Sequence, residues 1–278
     1  AANRRRVRTQ QVGIDPHSFL LEAWALPDTP AGLREFALRV VEAAAGLVGI
    51  VKPQVAFFER HGSAGYRVLE EVLVAARAAG LLVIADAKRG DVGSTVEAYA
   101  QAWLSEGGPL EVDAMTVSAY QGVASLDAPI SLALAGGKGL FVLAATSNPE
   151  SFALQRSLVA SGRTAGKTVA ASIVDDVAMV NRRSPASEVG SVGVVLGATV
   201  DLRDYGIELQ SMAANPATPI LAPGFGHQGA DLGDLGRLYG PASAHVVVSA
   251  SRSILSAGPA GLGSAIRAQA REVAQWRG

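Results

Sequence analysis

The segment Asp86-Ala87-Lys88-Arg89-Gly90-Asp91 sets two carboxylates around one lysine at a spacing that suits proton-transfer chemistry. On an extended strand, residues two apart point to the same face, so Asp86 and Lys88 are expected to project together. Lysine is scarce here: four of the 24 basic residues are lysines, Lys52, Lys88, Lys138 and Lys167. An arginine can supply charge but is a poor proton donor, so a retained lysine is a candidate for proton transfer. A structural ion-pair cluster has the same composition, and the segment alone leaves both readings open. Two further charges end β-type runs in the same half of the chain, Asp15 before Pro16-His17 and Lys52 before Pro53-Gln54. If those runs are neighbouring parallel strands, Asp15, Lys52, Asp86 and Lys88 reach one mouth, and convergence of that kind favours a site over a scattered set of ion pairs.

The elements needed to hold them are legible as short apolar runs at 11–15, 48–52, 81–86, 112–117, 140–145, 191–196, 220–222 and 245–249. Between them lie stretches with helical spacing, such as Leu33, Phe36, Ala37, Val40, Val41, Ala44 and Val68, Leu69, Val72, Leu73, Ala76. Val169, Ile173, Val177 and Val180 suggest a third helix, and Leu255, Ile266 and Val273 a last helical region. Continuous apolar strands suit a sheet buried on both faces, and alternating β and α argues parallel strands with right-handed crossovers. Eight such units fit a single-domain α/β fold, a closed (β/α)8 TIM barrel, with an open doubly wound sheet as the competing architecture. Residues 11–278 are assigned to the barrel. Residues 1–10, with Arg4, Arg5, Arg6 and Arg8, are assigned to a basic tail or helix end. The stretch 149–190 is long for one crossover and predicts an extra helix or excursion.

Two phosphate-type motifs stand apart. Ser161–Thr168 nearly matches a P-loop, but Ser161 replaces the first glycine and no buried strand precedes it, so it is rejected. Gly224-Phe225-Gly226-His227-Gln228-Gly229 is a full G-x-G-x-x-G, yet no acidic residue follows at the distance a dinucleotide fold requires. After the seventh strand of a barrel such a loop suits phosphate, with Gln228 donating and Arg252 after the eighth strand adding a bidentate guanidinium.

The 278 residues carry 24 basic and 25 acidic side chains, a net charge of -1, which argues against a general nucleic-acid partner. With 49% hydrophobic and 18% charged residues the chain can bury a large core. No apolar run approaches the ~18 residues of a membrane helix. Absence of cysteine removes thiol chemistry, disulfides and Cys-ligated metals, and fits a cytoplasmic location.

These segments resemble the orotidine 5'-phosphate decarboxylase family, in its longer bacterial branch typified by mycobacteria and myxobacteria. The matching residues are Gly13-Ile14-Asp15-Pro16-His17, Val51-Lys52-Pro53-Gln54-Val55-Ala56-Phe57-Phe58-Glu59, Asp86-Ala87-Lys88-Arg89-Gly90-Asp91-Val92-Gly93-Ser94-Thr95 and Ala144-Ala145-Thr146-Ser147-Asn148-Pro149-Glu150, with the Gln228 loop and Arg252. Two departures are Arg8, Gln10 and Gln11 where the family is more apolar, and Ala119 where this branch often has proline.

The resemblance implies decarboxylation of orotidine 5'-phosphate to uridine 5'-phosphate without cofactor or metal. It implies Lys88 as proton donor to C6, Asp86 against the substrate carboxylate, and Lys52 in the charged network and on the ribose. It further implies Asp15 on a ribose hydroxyl, Ser147 on the pyrimidine amide edge, and Gln228, Arg252 and the Gly226 loop on phosphate. Asp91 and Thr95 would act across a homodimer interface. The rival readings are a Mg-dependent phosphosugar decarboxylase or aldolase of the same superfamily and a catalytically silent nucleotide-binding barrel.

Overall fold

The computed structural model describes residues 10–183 and 188–276, so the arginine cluster at Arg4, Arg5, Arg6 and Arg8 lies outside the described residues. Eight strands run as β1 (Gln10–Ile14), β2 (Ile50–Pro53), β3 (Leu82–Arg89), β4 (Ala114–Val117), β5 (Gly139–Ala145), β6 (Val192–Leu196), β7 (Ile220–Pro223) and β8 (Val246–Ala250). Each pairs in parallel with the next, and β8 closes on β1, so the sheet is a closed barrel rather than an open wound sheet. Gln10, placed in the tail by sequence, is the first residue of β1 and pairs with Val248 of β8.

Two apolar layers hold the barrel. Ile50, Ile84, Ala114, Phe141, Val195 and Leu221, one from each of six successive strands, pack together in one cluster. A larger cluster seals strands against helices. The helix Pro30–Ala44 illustrates how: Pro30 opens it, the Thr29 hydroxyl accepts from Gly32 N, and the expected stripe from Leu33 to Ala44 is buried. The helix Gly62–Ala78 likewise buries Val68, Leu69, Val72, Leu73 and Ala76.

Two expectations change. The helix Val169–Arg183 buries Ala170, Ala171, Val174, Val177 and Asn181, a face rotated from the expected one. Asn181 decides the rotation, because its amide donates to Val192 O (2.7 Å) and accepts from Val192 N (3.1 Å) at the start of β6. The last helical region is two helices, Arg252–Leu255 and Gly258–Trp276, and Gly258 opens the second at φ 70°. The 149–190 excursion carries the short helix Phe152–Gln155 and an antiparallel bridge of Leu158 to Thr168 before the long helix. The rejected P-loop segment lies in that turn, with Lys167 paired to Asp175.

Candidate active site

The strand ends converge as the sequence suggests. Asp15 follows β1, Lys52 lies on β2, Asp86 and Lys88 on β3, Ser147 follows β5, Gln228 follows β7 and Arg252 follows β8. All seven line one cavity of about 630 Å³. Gly13 permits the closure of β1 on the β8 loop: a Cβ there would lie 2.6 Å from the Ser251 Cβ.

At the centre, Asp86 accepts from Lys52 Nζ at 2.7 Å on Oδ2 and from Lys88 Nζ at 2.6 Å on Oδ1. The Thr116 hydroxyl adds a third donor to Oδ1 at 3.0 Å. The Gln54 amide, oriented to satisfy both its ends, donates to Asp86 Oδ2 at 2.6 Å and accepts from Lys88 Nζ at 3.2 Å. Burial opposes charge on Asp86, but Lys52 and Lys88 overcome it and hold the carboxyl well below the usual carboxylate range. Burial likewise opposes charge on Lys52, and Asp86 with Asp15 reverses that and raises it above its ordinary value. The two lysines differ in access: the Lys52 side chain is 7% exposed, whereas Lys88 is 43% exposed. Both line the cavity, and Lys88 is the more accessible ammonium.

Simple strand alternation does not bring Lys88 beside Asp86. Lys88 has φ 49°, a left-handed conformation that costs an L-residue roughly 1–2 kcal/mol. The β3–β4 register shifts at the same place, between Ala85 and Arg89.

Three expected site residues lie elsewhere. Gly226 does not line the cavity; its Cα faces Ser253, whose hydroxyl would lie 2.9 Å from an added Cβ, while Gly224, Phe225, His227 and Gln228 form the cavity wall. Asp91 lies outside the cavity and accepts from its own neighbour, Val92 N, at 2.8 Å. Thr95 is exposed on the first turn of the helix Gly93–Leu104 and is also outside the cavity.

Residues not singled out from sequence complete the wall. Gln54 and Thr116 surround Asp86. Gln155 clamps the loop that carries Ser147, accepting from Thr146 N at 2.9 Å and donating to Thr146 Oγ1 at 3.0 Å. Leu143, Val195 and Leu221 provide an apolar portion. The signal for Thr116 was a single hydroxyl within the apolar run 112–117. The lysine-scarcity argument identifies two of four, since Lys138 pairs with Glu111 and Lys167 with Asp175 away from the cavity.

The profile of the orotidine 5'-phosphate decarboxylase / HUMPS family matches residues 9–262. The orotidine 5'-phosphate decarboxylase of Salinispora tropica is 50% identical over 248 residues, covering 89% of this chain and 85% of the relative. That of Nocardioides sp. is 50% identical over 244 residues, covering 88% and 85%. A crystal structure from Streptomyces avermitilis, provisionally assigned the same activity, superposes with a TM-score of 0.89 and 43% identity over 99% of this chain and 95% of that one. Leishmania donovani OMP decarboxylase superposes with a TM-score of 0.77 and 28% identity over 99% and 96%.

Proposed function

The chain belongs to the orotidine 5'-phosphate decarboxylase family, and on that premise we propose that Lys88 delivers the proton that replaces the departing carboxylate. The enzyme is a carboxy-lyase of pyrimidine biosynthesis that converts orotidine 5'-phosphate to uridine 5'-phosphate and carbon dioxide.

The bond that breaks joins C6 to its carboxylate carbon, and its electron pair stays on C6 in an sp2 orbital orthogonal to the ring π system. That pair cannot delocalise into the ring, so the site must stabilise it directly. A fixed ammonium beside C6 does so electrostatically and then donates its proton, forming the C6–H bond and leaving a neutral amine that solvent reprotonates. The observation that carries this reading is the accessible Lys88 Nζ held 2.6 Å from a buried Asp86 carboxylate. Asp86 faces the substrate carboxylate and fixes Lys88. Lys52 and Asp15 take the ribose, and Ser147 takes the pyrimidine amide edge. Arg252 and Gln228 hold the 5'-phosphate, whose binding far from C6 drives positioning at C6.

The enzyme is a homodimer with shared sites in this reading. Asp91 and Thr95 lie outside their own chain's cavity, and Val92, next to Asp91 in sequence, is an apolar residue left 52% exposed. A two-fold interface would deliver both residues to the partner's cavity. A cytoplasmic location belongs to the same proposal and is supported by the cysteine-free composition. Among the described residues no helix is long and apolar enough to cross a membrane.

The test is loss of ultraviolet absorbance on adding orotidine 5'-phosphate, before and after exhaustive chelation. Turnover unaffected by the chelator is expected. Turnover abolished by chelation and restored by Mg2+ would favour metal-dependent chemistry instead.

A further inference from the structure

We propose that Thr116 is a positioning residue for the reaction, holding Lys88 and Asp86 in their productive relation from the neighbouring strand. This inference rests on the reading of Lys88 and Asp86 given above.

The geometry begins with the strand irregularity. Ala85 pairs with Met115 and Arg89 with Val117, so β3 advances from 85 to 89 while β4 advances only from 115 to 117. The surplus residues of β3 form a bulge, a device that re-aims side chains beside active sites. Asp86 and Lys88 both lie on it, and Thr116 is the β4 residue opposite. Within the bulge Lys88 has left-handed backbone, and its N–H donates to Thr116 Oγ1 at 2.9 Å instead of to a ladder carbonyl.

A hydroxyl has one proton and two lone pairs. Having accepted from Lys88 N, Thr116 has its proton left for Asp86 Oδ1, 3.0 Å away. One side chain thus ties the Lys88 backbone to the carboxylate that also grips the Lys88 ammonium, closing a ring through both ends of the lysine. Thr116 stands in the cavity wall but is only 1% exposed, and both hydrogen bonds of its hydroxyl go to these two neighbours, so it acts through them. Its β-branched side chain has few χ1 states, which keeps the hydroxyl in place.

Valine at 116 keeps the shape but removes both hydrogen bonds. The Lys88 N–H is orphaned and the left-handed turn loses its tether. A displacement of about 1 Å at a reacting group costs on the order of 100-fold in rate, so Thr116→Val should lower kcat by about that factor. KM for orotidine 5'-phosphate and the affinity for uridine 5'-phosphate should each stay within about threefold, because phosphate, ribose and base are held by other strands. Thr116→Ser, which keeps the hydroxyl, should recover kcat to within about threefold of wild type. Added to Lys88→Ala, Thr116→Val should cost less than about threefold more, since the group it positions is already absent.

The proposal is overturned if Thr116→Val retains kcat within about threefold, if Thr116→Ser is as damaging as Thr116→Val, or if affinity for uridine 5'-phosphate falls as much as kcat. Should Thr116→Val not fold, Thr116→Ala compared with Thr116→Ser gives the same contrast. Lys88→Ala by itself reports separately on the reading of Lys88: if that variant keeps wild-type turnover, the assignment of Lys88 fails, whatever the Thr116 variants do.

Discussion

Lys88 Nζ and Asp86 Oδ1 are 2.6 Å apart across a two-residue separation, and Lys52 Nζ occupies the other carboxylate oxygen at 2.7 Å. One carboxylate therefore lies between two ammonium groups, and the trio carries a net positive charge. Such a site suits an anionic substrate whose reaction concentrates negative charge on one carbon. Asp15 also acts on the buried Lys52, so the half-exposed Lys88 is the cation that the cluster presents to the cavity.

Asp86→Asn is expected to destabilise the fold as well as stop the reaction. It leaves the buried Lys52 ammonium without its main counter-charge, a change that typically costs about 3–5 kcal/mol. Denaturant unfolding at neutral pH reads this loss. The folded pKa of Asp86 is depressed, so its contribution is complete above the unfolded value near ~3.9 and disappears as pH falls toward the folded value. The gap between wild type and variant should thus narrow on acidification below about pH 4. A gap that stays constant from neutral to strongly acidic solution contradicts the assignment.

Arg252→Ala is expected to weaken use of the phosphorylated substrate by on the order of 100-fold in kcat/KM, the scale of a lost charge-assisted hydrogen bond. Turnover of orotidine without its phosphate should be spared. Parallel kinetics on the two substrates separate the possibilities: equal losses would assign Arg252 to the fold instead of to phosphate.

The barrel was largely readable because its strands are near-continuous apolar runs and three of the crossovers, with the last helical region, carry a periodic stripe. Asp15, Lys52, Asp86 and Lys88 were readable because they are charged residues at the ends of those runs. The bulge was not. The run 81–86 reads as an ordinary strand, whereas β3 continues to Arg89, and nothing in a lysine announces a left-handed backbone. Thr116 was hidden for the same reason, since its importance comes from lying opposite that bulge. Gly226 was expected at the phosphate from its motif, but the loop turns its Cα toward Ser253. The burial of Gln10 and Gln11 in β1, with side-chain amides unpartnered among the described residues, also has no counterpart in a hydropathy pattern.

Subunit mixing tests the shared site. Lys88→Ala and Asp91→Ala homodimers should each be inactive. A mixed dimer holds one cavity with both lesions and one with neither, so random exchange should restore about a quarter of all sites, by the two-fold symmetry. Activity recovered on mixing, measured with mass-verified heterodimers, supports the arrangement. Verified heterodimers without activity would place Asp91 in its own chain's site.

The most direct test of Lys88 as proton donor is the turnover number of Lys88→Ala with saturating orotidine 5'-phosphate. Loss of both the charge at C6 and the proton source predicts a fall of at least about 1000-fold, with the fold intact by unfolding midpoint. A folded Lys88→Ala enzyme that turns over within about tenfold of wild type would show that another group protonates C6.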